Sequence, residues 1–394
     1  MNEWLLFALL VLAVALGFVM GRYRAVALER LKGVSANWPQ QRYYQGLNHL
    51  LNDEPDAAID TFIAALDVND ETLETHLALG NLLRKRGETA RAIRVHQNLL
   101  ARPSLSKAQL HLAQLELGVD FLKSGLLDRA ESLFKELAAV KGLNKLIRQQ
   151  ALAYLIEVYQ DTQEWLEAID VADRLTSHKF GAAVDRWREM QAHFSCELAQ
   201  QALEKNALVD ARRLLRNALR YDKNCVRASL LQASVELKEG APSAALVVLR
   251  QVQGQNARFV SEALPLIYRS FQSLNSAKEM TAMFQEIYAD SHSLLVLNYL
   301  AKAIAEEQGE DAVVDFLLQE LQAFPQMDAA GELLKVVSEN TSQWVGFNYG
   351  TIKGVLEKLT EARCQYECDN CGFRGEQLHW LCPSCKSWAT IAAR

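Results

Sequence analysis

Six alanines recur along this chain at nearly fixed intervals: Ala58, Ala92, Ala130, Ala168, Ala211 and Ala245. Four residues after each stands Phe62, His96, Phe134, Ala172, Leu215 or Leu249, and seven after each stands Ala65, Leu99, Leu137, Leu175, Ala218 or Val252. Offsets of four and seven lie on one face of an α-helix, so each alanine marks a helical stripe. Five residues before the alanines lie Asp53, Gly87, Gly125, Gln163, Asn206 and Gly240, mostly turn-favouring types. Twelve before the first three lie Gly46, Gly80 and Gly118, where an earlier helix can be approached closely. Each period is therefore a helix hairpin, and because one hairpin cannot bury its own apolar face, the hairpins must stack. With 19 Gly and 7 Pro among 394 residues, turn formers are too few for an all-β chain. The fold class predicted is all-α.

Small residues on both helices with a corner between them resemble the tetratricopeptide repeat. The best copies are Leu79-Gly80 with Gly87 and Ala92, and Leu117-Gly118 with Phe121, Gly125, Ala130 and Phe134. Later copies fade: His96 replaces an aromatic, and Ala199 and Ala233 replace the glycine. Gly309 reads as a corner before a second helix Asp311 to Gln322, and Met280, Phe284 and Ile287 suggest one more helix around Arg269 to Tyr288. Insertions near Pro103, Gly142 and Ser177 to Ala183 predict bends or exposed corners. A tetratricopeptide solenoid over 39–325 offers a groove lined by the first helix of each pair, suited to peptide segments. Asn81, Arg84 and Lys85 are the candidate partner-binding residues on it, against the reading that they are ordinary solvated residues. Arg212, Arg216 and Arg220 form a basic stripe that reads first as a solvated face.

The N-terminal segment, 1–21, differs in kind. Trp4 to Met20 is uncharged and apolar throughout, a run near the lower limit for a spanning helix. Glu3 precedes it where a signal peptide would be basic, so a transmembrane anchor over 1–21 is the better reading. Arg22, Arg24, Arg30 and Lys32 follow, which places a juxtamembrane linker at 22–38 and the body beyond it on the cytoplasmic side. A formal charge of −6 argues against nucleic acid as a partner.

Five of the seven cysteines fall between Cys364 and Cys385. Cys368-x2-Cys371 and Cys382-x2-Cys385 have the spacing by which two short turns close on one metal ion, so these four are the candidate metal ligands. Gly372 can take the positive φ such a turn requires, and backbone N–H groups should point at the sulfurs. Phe373, Trp380 and Trp388 are candidates for a small apolar cover, since so short a module buries too little surface to fold unaided. The module, 363–394, resembles a rubredoxin-like or zinc-ribbon knot, with Lys386 standing where the second turn usually has glycine. Four cysteines leave no open coordination position, which favours structure over catalysis, and either iron or zinc suits them. Cys364 reads as a spare thiol, Cys196 and Cys225 as small core residues, and His379 as a group beside the ligands. Residues 326–362 are assigned to terminal helices. No P-loop, dinucleotide fingerprint, nucleophile elbow or zincin motif occurs, so no catalytic residue is assigned and the chain is not expected to be an enzyme.

Anchor, repeat stack and CxxCGF...CPSC knot together, with runs such as His76 to Leu82, Arg91 to Gln97 and Trp165 to Ala172, resemble the lipopolysaccharide assembly protein B family of Gram-negative bacteria over essentially the whole chain. That resemblance implies an inner-membrane adaptor helping the FtsH protease degrade the lipid A pathway deacetylase and so limiting lipopolysaccharide synthesis. It also implies contact with other lipopolysaccharide assembly proteins, and leaves a homodimer open. The family's metal ligands fall on Cys368, Cys371, Cys382 and Cys385. The alternative is a docking protein whose rubredoxin-like iron site passes electrons; nucleic-acid binding by the knot is disfavoured by the acidic balance.

Overall fold

A computed structural model describes residues 73–101, 105–176, 182–323 and 366–393, with scattered positions between 45 and 61. The expected anchor and linker, most of the first repeat, the terminal helices at 326–362 and Cys364 lie outside the described residues. Among the described residues no helix is long and apolar enough to cross a membrane.

The chain divides into two compact units, 1–158 and 159–394, the division falling inside one helix, Lys145–Thr162. In the first unit, α1 (Leu73–Lys85) pairs with α2 (Thr89–Leu100), and α3 (Lys107–Lys123) with α4 (Leu127–Ala139). α3 starts at a capping box in which the Ser106 hydroxyl accepts from Gln109 N and the Gln109 side chain accepts from Ser106 N. Glycine at the close-approach point is required sterically. A Cβ on Gly80 would stand 2.4 Å from the His96 ring, and one on Gly118 would stand 2.5 Å from the Phe134 ring. The +4 residues therefore pack into their own hairpin's glycine, and they also reach the next element. Phe134 stacks on Tyr154 at 5.5 Å, and His96 Nδ1 meets Asp120 Oδ2 at 2.5 Å.

In the second unit α6 (Trp165–Thr176) follows the shared helix α5 (Lys145–Thr162), and four further hairpins succeed it. They are α7 (Ala182–Glu204) with α8 (Leu208–Tyr221), α9 (Val226–Lys238) with α10 (Pro242–Leu249), α12 (Val260–Leu274) with α13 (Ala277–Ser291), and α14 (Leu294–Gln308) with α15 (Glu310–Ala323). Two short turns of helix, α11 (Val252–Gln255) and a 3-10 turn (Ala257–Phe259), lie between α10 and α12.

Every described alanine of the periodic stripe, from Ala92 to Ala245, is fully buried, as are His96, Phe134, Ala172 and Leu215 at the +4 offset. The corners share a positive φ. Gly87, Gly125, Gln163, Asn206, Gly240, Asn275 and Gly309 all take positive φ, between 52° and 94°. At six of them the residue after the corner returns an N–H to the carbonyl five residues earlier, as Glu88 does to Leu83 and Glu164 does to Tyr159. That is the bond of a Schellman cap, which satisfies a carbonyl the helix end would otherwise leave open. Gln163 makes the same turn without glycine and bears the left-handed backbone itself.

Two boundaries differ from those expected. The single helix around Arg269 to Tyr288 is broken at Asn275, so that Arg269 belongs to α12 while Met280, Phe284 and Ile287 belong to α13. An asparagine corner is a weaker signal than glycine, and the apolar stripe runs across it. The helix expected from Asp311 to Gln322 spans Glu310–Ala323. Gly142 sits in a turn with φ of 76°, whereas residues 102–104 and 177–181 lie outside the described set.

Candidate metal centre

Three short strands build the knot, in the order β2-β1-β3: β1 (Tyr366–Cys368), β2 (Arg374–Gly375) and β3 (Ile391–Ala393). Both neighbours run antiparallel to β1, with Glu367 facing Arg374 on one side and Ala392 on the other. Cys368 ends β1, and the chain turns so that Cys368 N donates to Phe373 O and Gly372 N to Cys368 O, both at 2.8 Å. The second turn repeats those bonds at the same offsets. Cys382 N donates to Ser387 O and Lys386 N to Cys382 O, both at 2.9 Å. Gly372 and Lys386 thus occupy equivalent places, and both are left-handed, with φ of 73° and 54°. Lysine tolerates at the second turn what glycine does at no steric cost.

The four sulfurs converge. All lie within 4.8 Å of one another, with Cys368 to Cys385 and Cys371 to Cys382 both at 3.7 Å. Metal–sulfur bonds of about 2.3 Å in a regular tetrahedron put sulfurs about 3.8 Å apart, so the set fits one ion of zinc or iron size. Backbone N–H groups of Cys371 and Asn370 point at the Cys368 sulfur, and those of Cys385 and Ser384 at the Cys382 sulfur. The Ser387 hydroxyl leads the groups that bring Cys385 down to about 6, whereas burial pushes Cys382 up to about 12. Donors aimed at sulfur favour thiolate, the form that binds metal. Cys368 and Cys382 are buried, Cys385 is half-buried and Cys371 is exposed.

Phe373 joins Tyr366, Leu378, Cys368, Cys382 and Ile391 in the knot's own small core. The two tryptophans do something else. Trp388 stacks on His193 of α7 at 4.9 Å and 13°, meets Trp165 and Phe194 edge-on, and donates its indole N–H to Gln160 Oε1 at 2.8 Å. Trp380 packs on Phe259 at 5.1 Å, and Ala392 lies in the helical core of the same unit. Expected to cover the metal turns, these indoles instead fasten the knot to the helices, because a module this small gains more apolar burial against α7 than within itself. Polar contacts ring the seam: Lys386 Nζ to Asp161 at 2.5 Å, Arg258 to Asp369 at 2.6 Å, and the Tyr366 hydroxyl to Glu262 at 3.0 Å. No local pattern announces Gln160, Asp161, His193 or Glu262, since each meets the knot across a long stretch of sequence. His379 stands edge-on to Phe373 and lies outside the cluster of four sulfurs.

The remaining candidates are placed as follows. Arg84 is engaged within the first unit: it donates to Glu116 at 2.6 Å, to Asp120 at 2.7 Å and to Asn81 Oδ1 at 2.6 Å. Burial pulls its pKa down, but these carboxylates more than offset that and hold it up. Lys85 is exposed beside it. Arg84 matches the charge of Asp120, which is fully buried and also meets the His96 ring. In the basic stripe, Arg212 bridges Glu236 and Glu239 at 2.9 and 2.6 Å, while Arg216 and Arg220 are exposed. Cys196 and Cys225 are buried in one apolar cluster with sulfurs 4.0 Å apart.

Comparison with known proteins bears on both parts of the chain. A family described as a rubredoxin metal binding domain, of zinc-ribbon type, matches residues 366–393. Lipopolysaccharide assembly protein B of Escherichia coli strain K12 is 35% identical over 388 residues, covering 98% of this chain and 97% of the relative. Its namesake from Haemophilus influenzae is 32% identical over 401 residues, with the same coverage. Among solved structures, MamA from Desulfovibrio magneticus RS-1 aligns with 48% of this chain and 98% of its own, at 12% identity and a TM-score of 0.33.

Proposed function

The chain belongs to the lipopolysaccharide assembly protein B family, and on that premise we propose that it is a non-enzymatic adaptor of the bacterial inner membrane, restraining lipopolysaccharide synthesis by promoting FtsH-dependent degradation of the lipid A pathway deacetylase. The observation that carries the reading is the seating of the metal knot. A four-sulfur site closed to substrate is fastened to a helical array by Trp388, Trp380 and their polar rim, which suits a rigid scaffold with surfaces for partners. An anchor at 1–21, on the cytoplasmic side of which the body would lie, raises the encounter rate with another membrane protein by confining both to one bilayer. The helices offer the contact surfaces, with Asn81 and Lys85 as candidates, and Arg84 shaping that surface through its carboxylates. The knot's ion in this reading is zinc.

The test is depletion of the protein in its own cells followed by pulse-chase of the deacetylase. The half-life should lengthen several-fold, and restoring the chain with all four ligand cysteines changed to Ser should not shorten it. An unchanged half-life on depletion refutes the adaptor reading. A second reading, electron transfer at a rubredoxin-like iron, draws on the exposure of Cys371, which would give a redox partner close access to the ion. Metal analysis of the purified chain separates the two, because stoichiometric zinc without redox activity eliminates electron transfer.

A further inference from the structure

Where the knot meets α7 and the start of α9, a cleft of about 340 Å³ opens at the seam. Its walls are the indoles of Trp380 and Trp388, the ring of Phe259 and the imidazole of His193, and Glu189 and Asp222 stand at it as well. The volume is at the low end for a ligand site, fitting one long side chain better than a drug-sized molecule. Charge decides which side chain. No ion pair engages Glu189 or Asp222 among the described residues, and Glu189 is held above its ordinary range by desolvation and then by the charges of Asp222 and Asp185. Two carboxylates that repel each other beside aromatic walls are the complement of a cation. Trp388 already attracts one, since the Arg227 guanidinium stands 6.0 Å from its ring centre, but Arg227 is committed to Glu197 at 2.8 Å and does not line the cleft. His193 adds no positive charge, because burial and then Arg227 bring its pKa to about 3.

We propose that this cleft receives an arginine side chain presented by a partner polypeptide, its guanidinium lying against the Trp380 and Trp388 walls and donating to Asp222 and Glu189. Arginine fits better than lysine because a planar, weakly hydrated cation stacks on indole and forks onto a carboxylate. Since the cleft's two sides come from the knot and the helices, a bound arginine would bridge them and tighten their docking. The site would also exist only while the knot is seated, so the metal that folds the knot would be needed for recognition. The inference does not rest on the identity of the proteolytic partner, and its failure would leave the half-life experiment untouched.

The full-length, metal-loaded chain in nanodiscs, labelled with 5-fluorotryptophan, would be titrated with Nα-acetyl-arginine amide while 19F spectra are recorded. The Trp380 and Trp388 resonances, assigned with Trp→Phe variants, should shift saturably. Nα-acetyl-citrulline amide, of nearly the same shape but uncharged, should shift them little. Asp222→Asn should weaken binding about fivefold, of the order expected for one partly exposed charge pair, and Glu189→Gln should weaken it in the same direction. Unchanged metal content and circular dichroism would show that both variants remain folded. The proposal is overturned by an absence of saturable shift, by equal response to citrulline, or by Asp222→Asn and Glu189→Gln variants that bind as tightly as the parent.

Discussion

Replacing Trp388 with alanine should separate the knot from the helices while leaving the metal site intact. The residue supplies no ligand and lies outside the small core of Cys368, Cys382, Ile391 and Phe373, so one ion per chain should still bind. What it supplies is contact with α7 and its neighbours. Truncating a large aromatic costs roughly 3–5 kcal/mol when fully buried, and Trp388 is half-buried, so about 3 kcal/mol is appropriate. Loss of the indole N–H removes the donor that the buried Gln160 Oε1 accepts, adding about 1 kcal/mol. For a unit of this size each kcal/mol moves Tm by about 2–4 °C, so a fall of about 10 °C is expected. Trp388→Phe keeps an aromatic ring on His193 and loses chiefly the hydrogen bond, so it should fall only about 3 °C. Calorimetry on the zinc-saturated chain measures both. Amide exchange should accelerate on α7 in the alanine variant, and a chromophoric chelator should extract its metal faster. If Trp388→Ala melts within about 1 °C of the parent and α7 exchanges at the parent rate, the seam does not carry the coupling assigned to it.

Other perturbations test separate parts of the argument. Gly118→Ala and Gly80→Ala force a Cβ against the Phe134 and His96 rings and should each cost about 1–3 kcal/mol in urea unfolding. His96→Phe restores the aromatic of the repeat but removes a partner from fully buried Asp120; a loss of about 2 kcal/mol is expected, and a gain would mean that the polar network is no constraint. Lys386→Gly should be more stable than Lys386→Ala by about 1 kcal/mol, because both lose the Asp161 ion pair while only glycine relieves the left-handed backbone. His193 has a folded-state pKa of about 3 against an unfolded value near 6.5, so the unfolded chain binds the extra proton between them. Its contribution is complete above about pH 6.5 and is lost as pH falls towards 3, by up to about 1.4 kcal/mol per unit. His193→Phe should therefore flatten the acid limb of the stability profile by about one proton relative to the parent.

The repeat was legible because stacking imposes a period that local chemistry must obey. From Ala92 to Ala245 each second helix carries a fully buried alanine, and every corner carries a residue of positive φ, so the pattern recurs in sequence even where the corner residue drifts. Drift sets the limit of that legibility. Gln163, Asn206 and Asn275 make the same turn as Gly87, but only the period reveals the first two, and Asn275 lies beyond the alanine series that reveals it. The four sulfurs were legible for a similar reason, since two turns closing on one ion fix a spacing of two intervening residues at each. The destination of Trp380 and Trp388 was not, because an indole near a metal turn looks the same in sequence whether it covers its own module or a neighbour.

That ambiguity has a physical resolution in the size of the knot. With three strands of two or three residues each, it can enclose Phe373 and Ile391 but has no second layer to cover two indoles. Left on the outside they would expose apolar area that docking removes, so metal binding and helix packing become linked: an ion that folds the knot presents the indoles, and the helices that receive them stabilise the folded knot. Stripping the metal should accordingly lower the melting temperature of α7 and α12 as well as that of the strands, because His193, Phe259 and the core around Ala392 lose their cover together. Helices that melt at the same temperature with and without metal would show instead that the seam is a passive contact, and the knot's position on the helices would then need another explanation than mutual stabilisation.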